Sequence, residues 1–316
     1  MKKVNFLGLN FQLGQEKKGL SYSAQYIRHY FDVLEKMGLQ VKDQGSISSS
    51  QRNCVKVHCS KDLNNVDWSS YNEAYEKILC LTQKNRTLIN WGGDHSVALA
   101  TVGAFSTNFP TGYVLWIDAH ADLNLPQFSL SGNLHGMPMS ALLGLGNIRE
   151  NSFPWIRKKL QNEKLIYLGL RDLDSFERDT IRDLKIKVYT SEDIKSQGMD
   201  CIANQIFDKV KNSPLHISFD IDSLSPEIAP STGVPVPQGL SNRDLIILGK
   251  KLRNHNDLRS IDVVEINPFI GTDEEVFKTY ISAINFILAT LTQGGSHDDL
   301  RRSNQTSFAT SMESRS

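Results

Sequence analysis

The feature that most restricts this chain is a repeated one: short, unbroken apolar runs that each empty into acidic or imidazole residues. The run Tyr113–Ile117 leads into Asp118-Ala119-His120-Ala121-Asp122. Residues 87–90 lead into Gly92-Gly93-Asp94-His95-Ser96, residues 164–168 into Gly169-Leu170-Arg171-Asp172-Leu173-Asp174, and residues 215–219 into Asp220-Ile221-Asp222. Strands that are apolar throughout are buried on both faces, which is the signature of a parallel sheet covered by helices. Segments with helical apolar spacing separate the runs, so the chain is expected to be α/β, a single-domain three-layer αβα structure with a central, mostly parallel sheet. In such sheets ligands bind beyond the carboxyl ends of the strands, where these runs deposit their reactive residues.

The rest of the chain fits the same alternation. A first strand is expected at 4–9, a helix at 24–37 capped by Ser23 and ended by Gly38, and a short strand at 39–41. Helices follow at 68–83, 97–105, 138–145, 176–184 and 199–210, with a short strand at 187–189. Ser241 and Asp244 read as a capping box for a helix over 245–252. A strand at 261–266 carries Glu265, and a long helix covers 273–292. No repeat or linker divides residues 1–293. Residues 294–316 are polar and read as a tail that is mobile or reaches a neighbouring subunit.

Bulk composition removes several classes of function. The 316 residues carry 35 basic and 35 acidic side chains, so no net charge calls for a nucleic acid or an acidic membrane. No apolar run approaches the ~20 residues of a membrane span, and the start of the chain is too short in apolar residues for a signal peptide. The cytoplasm is the expected location. The four cysteines form no Cys-x-x-Cys pair. Cys80 lies in an apolar helical run and is expected in the core.

An extended chain turns residues i, i+2 and i+4 to one side, so Asp118, His120 and Asp122 would face one point if the strand continues through them. With His95, Asp220 and Asp222 they make two imidazoles and four carboxylates. That set is too large and too oxygen-rich for a single zinc ion and suits harder ions such as manganese. Paired metals about 3.5–4 Å apart can hold a shared hydroxide as a nucleophile near neutral pH. The plainer reading is that strand-end aspartates cap helices or close Asx turns. Two such clusters beside a Gly-Gly-Asp-His segment favour the metal reading.

Gly92-Gly93-Asp94-His95-Ser96, Asp118-Ala119-His120-Ala121-Asp122 and Ser218-Phe219-Asp220-Ile221-Asp222-Ser223-Leu224-Ser225-Pro226 resemble the three signature segments of the ureohydrolase family, which holds arginases, agmatinases and formimidoylglutamases. The resemblance extends over about the first 290 residues and makes 1–293 an arginase-like catalytic domain. It implies two Mn2+ per subunit and hydrolysis of a guanidino or amidino group. It places one metal on His95, Asp118, Asp122 and Asp220, and the other on His120, Asp118, Asp220 and Asp222. It also implies that Asp122 accepts a hydrogen bond from the shared hydroxide, that His135 shuttles protons, and that Glu265 pairs with the substrate guanidinium. Asn124 and Ser131 match the positions that hold the α-carboxylate in arginases; Asp174 directly, and Glu177 through water, match those that receive the α-amino group. The implied substrate is L-arginine, the products L-ornithine and urea, and the assembly a homo-oligomer, trimer or hexamer.

The chain departs from the arginase pattern at Val234, in Thr232-Gly233-Val234, where a hydroxyl normally supports the glutamate matching Glu265. Ser223 and Ser225 replace the usual glycine and aspartate, Gly19-Leu20-Ser21 replaces a Gly-Val-Glu segment, and Gln293 stands where animal arginases carry a subunit-linking arginine. All six ligand positions are intact. The alternatives are another ureohydrolase, acting on agmatine, guanidinobutyrate or formimidoylglutamate, and a non-catalytic relative.

Overall fold

The computed structural model describes residues 1–49, 54–83 and 86–293; the 294–316 tail lies outside the described residues. Eight strands form one sheet: β1 Lys2–Asn10, β2 Leu39–Ser48, β3 Thr87–Trp91, β4 Tyr113–Ile117, β5 Leu165–Leu170, β6 Lys187–Thr190, β7 Leu215–Asp220 and β8 Leu258–Val264. Their order is β2-β1-β3-β8-β7-β4-β5-β6, and every pairing is parallel. All strands therefore end at one edge of the sheet. β3, β8, β7 and β4 are side by side, although the chain visits them far apart.

One face of the sheet packs against helices Ser23–Arg28, Phe31–Lys36, Met199–Val210, Asn242–Leu252 and Asp273–Leu291. The other packs against Ser69–Thr82, Ala98–Asn108 and Pro138–Leu143. β3, β4, β5 and β7 are buried along their full length or nearly so, as continuous apolar runs require. Each large aliphatic side chain so covered contributes ~1.5–3 kcal/mol. The Ser241–Asp244 capping box forms as expected. No helix among the described residues is long and apolar enough to cross a membrane.

Several expectations are corrected. The helix expected at 24–37 is two short ones, broken where Tyr30 stacks on Tyr280 and Phe31 meets Phe6 edge-on. β2 runs on to Ser48 because pairing with β1 defines it; as an edge strand it is half exposed and gives no apolar run. Cys80 is exposed, on the solvent side of a helix whose opposite face is buried. β8 stops at Val264, so Glu265 lies just beyond a strand rather than within one.

Candidate active site

The two acidic clusters converge by turning, not by strand alternation. β4 ends at Ile117, and residues 118–122 bend, with Asp122 in the left-handed region at φ 50°. Asp118 Oδ1 accepts the His120 backbone N–H at 2.7 Å, and Asp220 Oδ1 accepts that of Asp222 at 2.8 Å. Each aspartate thus closes an Asx turn with one oxygen and keeps the other for the site. The turn reading of these residues is correct, and it leaves each of them an oxygen that could also serve as a ligand.

Three carboxylate oxygens meet at His95. Its Nδ1 lies 2.9 Å from Asp118 Oδ2, 3.1 Å from Asp122 Oδ2 and 3.0 Å from Asp220 Oδ2, yet makes no hydrogen bond. One N–H cannot serve three acceptors. A second group forms around His120, whose Nδ1 is 3.1 Å from Asp222 Oδ2 and 3.5 Å from Asp118 Oδ1. Donor atoms of His95, Asp118 and Asp122, and of Asp118, His120 and Asp222, lie close enough to hold a metal ion each, with Asp118 common to both.

The electrostatics ask for positive charge here. Burial and the charges of Asp222 and Asp118 push Asp220 well above the carboxylate range; burial and Asp118 push Asp222 up to about 6. Burial opposes protonation of His95 and His120, but the neighbouring carboxylates outweigh it and raise both well above the usual imidazole value. All of these shifts point to an excess of negative charge that bound cations would offset. Oxygen-rich donors, an unsatisfied imidazole nitrogen and this excess of negative charge fit hard divalent ions.

Two residues beneath the cluster, not assigned a role from the sequence, hold His95 in place. Trp116 stacks on the His95 ring at 3.9 Å between centroids, and its Nε1–H donates to Asp118 Oδ2 at 2.9 Å. Ser218 Oγ is 2.8 Å from His95 Nε2, which fixes the ring so that Nδ1 faces the carboxylates. Trp116 and Ser218 are register partners on β4 and β7, each two residues before a candidate ligand aspartate. The strand period of two is the signal that points to them.

Glu265 and His135 complete the inner wall. Glu265 is buried and left-handed at φ 62°. Its Oε1 accepts the His95 backbone N–H at 2.8 Å and lies 3.0 Å from His135 Nδ1; its Oε2 has no partner. The turn at Gly93 makes this possible. Gly93 has φ 82°, its carbonyl accepts the Glu265 N–H, and a Cβ there would press on the Leu9 carbonyl at 3.0 Å. Burial opposes protonation of His135, but Glu265 outweighs it and raises the imidazole to about 9.

The remaining expected residues are partly assembled. Asn124 Nδ2 donates to Asp174 Oδ2 at 2.8 Å. Asp174 and Glu177 form the capping box of helix Ser175–Asp183, and Glu177 Oε1 accepts the Leu123 N–H at 3.1 Å. Ser131 stands apart: it is exposed and accepts from the Asn133 N–H. Burial first, then the charges of Asp174 and Asp122, push Glu177 up to about 7 against the pull of the Leu123 N–H. A carboxyl raised from 4.5 stabilises the fold most below pH 4.5, and this contribution is lost as pH rises to about 7. Glu177→Gln should remove that loss in the metal-free protein, so that urea-unfolding stability varies less between pH 4.5 and 7. An unchanged slope would assign the pH dependence elsewhere.

A parallel sheet with an oxygen-rich, two-part ligand cluster at its carboxyl edge is the arrangement of a metal-dependent enzyme of the α/β class. The family model of the arginase family matches residues 2–292. An arginase of Schizosaccharomyces pombe is 37% identical over 298 residues, covering 91% of each chain. The crystal structure of arginase from Bacillus subtilis superposes with a TM-score of 0.82 at 29% identity, covering 93% of this chain and 99% of that one. Entamoeba histolytica arginase, solved with L-ornithine, gives 0.79 at 28% identity, covering 92% and 99%. This chain belongs to the arginase family and is a hydrolase of the guanidino carbon–nitrogen bond.

Proposed function

We propose that this enzyme is a manganese-dependent arginase that hydrolyses L-arginine to L-ornithine and urea. The observation that carries the reading is the unpartnered, buried Oε2 of Glu265 beside the His95–Asp118–Asp122–Asp220 cluster. A buried carboxylate oxygen without a donor is costly unless a cationic ligand supplies one.

His95, Asp118, Asp122 and Asp220 would hold one cation, and His120, Asp118, Asp220 and Asp222 the other. When bound, the pair supplies Lewis-acid activation of water and stabilises developing negative charge. Glu265 holds the guanidinium in reach of the cluster. Asp122 accepts the proton released by the attacking water and relays it, with His135, to the amine that leaves as the carbon–nitrogen bond breaks. His135 carries a proton between the site and solvent; a guanidinium on Glu265 weakens the pull that now raises its basicity. Asn124 and Ser131 orient the α-carboxylate as neutral donors, Asp174 receives the α-amino group, and Glu177 acts on it through water. The Asn124–Asp174 hydrogen bond supports this assignment, since it sets the two readers of the amino-acid end side by side.

The test is urea release from arginine, agmatine and guanidinobutyrate, before and after manganese loading. Manganese-stimulated activity on arginine alone is expected. Preference for agmatine would overturn the roles of Asn124 and Ser131, and activity unaffected by metal would overturn the centre.

A further inference from the structure

Arg171 is bound in a way the proposed reaction does not use. Its guanidinium donates only to backbone carbonyls among the described residues. Nη2 reaches Asp222 O at 2.7 Å, Val236 O at 2.8 Å and Leu224 O at 3.3 Å; Nη1 reaches Gly169 O and Ser223 O, both at 3.2 Å; Nε reaches Pro237 O at 3.0 Å. One of these carbonyls belongs to a candidate metal ligand, Asp222, and another to the residue after it. The backbone of the same dipeptide grips the other acidic turn: the Arg171 and Asp172 N–H groups both donate to Ala119 O, at 2.9 and 3.1 Å. The Asp172 side chain, largely exposed, places Oδ2 at 3.7 Å from His120 Nε2, a buried nitrogen with no hydrogen-bond partner.

We propose that Arg171 and Asp172 are positioning residues for one half of the metal centre, the half built from Asp118, His120 and Asp222. Arg171 fixes the turn that presents Asp222, and Asp172 orients the His120 ring from its far nitrogen. The imidazole of the other half has its own supports, the Trp116 ring and the Ser218 hydroxyl against His95. The halves share Asp118, but Arg171 and Asp172 touch the turns that carry His120 and Asp222 and not His95, so disturbing them acts more strongly on one ion than on the other. A guanidinium suits this position because five planar donors can serve several carbonyls, while its fixed positive charge stands behind carboxylates that repel one another. A lysine has three donors and replaces the charge without the fork.

This inference rests on the reading that the cluster holds two cations. It is tested by titrating the metal-free full chain with Mn2+, following free ion by electron paramagnetic resonance. Wild type, Arg171→Lys, Arg171→Ala and Asp172→Asn are compared, with melting of each metal-free protein as a check on the fold. Arg171→Ala should weaken one of the two sites by ~10–100-fold, leaving the other within about threefold. Arg171→Lys should recover part of the loss. Asp172→Asn, at an exposed side chain, should weaken the same site by about tenfold without lowering the melting temperature. In a His120→Ala background, which already lacks that half, Arg171→Ala should add nothing to the loss. Equal weakening of both sites together with a lowered melting temperature would overturn the proposal in favour of a general structural role. So would unchanged binding in Arg171→Ala and Asp172→Asn when wild type takes two ions. A wild type that takes one ion or none would overturn the two-cation reading and this inference with it.

Discussion

Asp118→Ala should yield a folded protein that retains almost no metal and loses arginine turnover by ~10³-fold or more. Without the centre, the drop in water pKa from ~15.7 to ~7 that makes a nucleophile available near neutral pH is lost. Asp118 is the residue common to both candidate metal groups. It also accepts the His120 N–H and the Trp116 indole N–H, so its loss undoes the turn that presents His120 and leaves a buried donor without a partner. The unpaired indole alone costs ~1–3 kcal/mol of stability. Metal content after gel filtration, together with urea release at saturating manganese, checks the prediction. A variant that kept two ions and wild-type turnover would remove Asp118 from the centre.

Glu265→Gln should separate function from stability. The variant should lose ~10²–10³-fold in kcat/KM for arginine, because truncating one partner of a buried, hydrogen-bonded charge pair costs about 2–5 kcal/mol. Gln can still accept the His95 N–H, but its amide places a donor where the guanidinium needs an acceptor. The metal-free variant should nevertheless stay folded and melt close to wild type, since losing the ion pair with His135 is offset by replacing a partnerless buried carboxylate oxygen with a neutral group. The left-handed backbone at Glu265 points the same way, as strain of ~1–3 kcal/mol collects where a site requires it. Lower activity with lower stability would mean that Glu265 is chiefly a structural brace for His95.

Much of this centre is legible in the amino-acid sequence. The candidate ligands follow apolar strands and recur at every second position, as Asp118, His120 and Asp122 and again as Asp220 and Asp222. Glu265 and His135 are reached through family resemblance and not through pattern, because a lone glutamate after a strand and a lone loop histidine carry no spacing. Trp116 and Ser218 are legible in principle from alternation. Arg171 is not: its partners are backbone carbonyls at residues 169, 222–224 and 236–237, and a carbonyl leaves no mark on a sequence. Ser131 is assigned to the site through family resemblance alone, and the structure leaves it exposed.

The amino-acid sequence by itself determined the layered α/β class and the chemistry at the strand ends, because burial on both faces demands continuous apolar strands and ligand types are fixed by side chains. The tertiary structure decided which strand ends meet. The order β3-β8-β7-β4 brings His95, Glu265, Asp220 and Asp118 to four adjacent positions on one edge. That order arises from long-range pairing between segments as distant as residues 88 and 260, on which local spacing has no hold. The left-handed turns at Asp122 and Glu265 were decided there too. A side chain that disfavours such a conformation adopts it only when the surrounding packing and hydrogen bonds compel it.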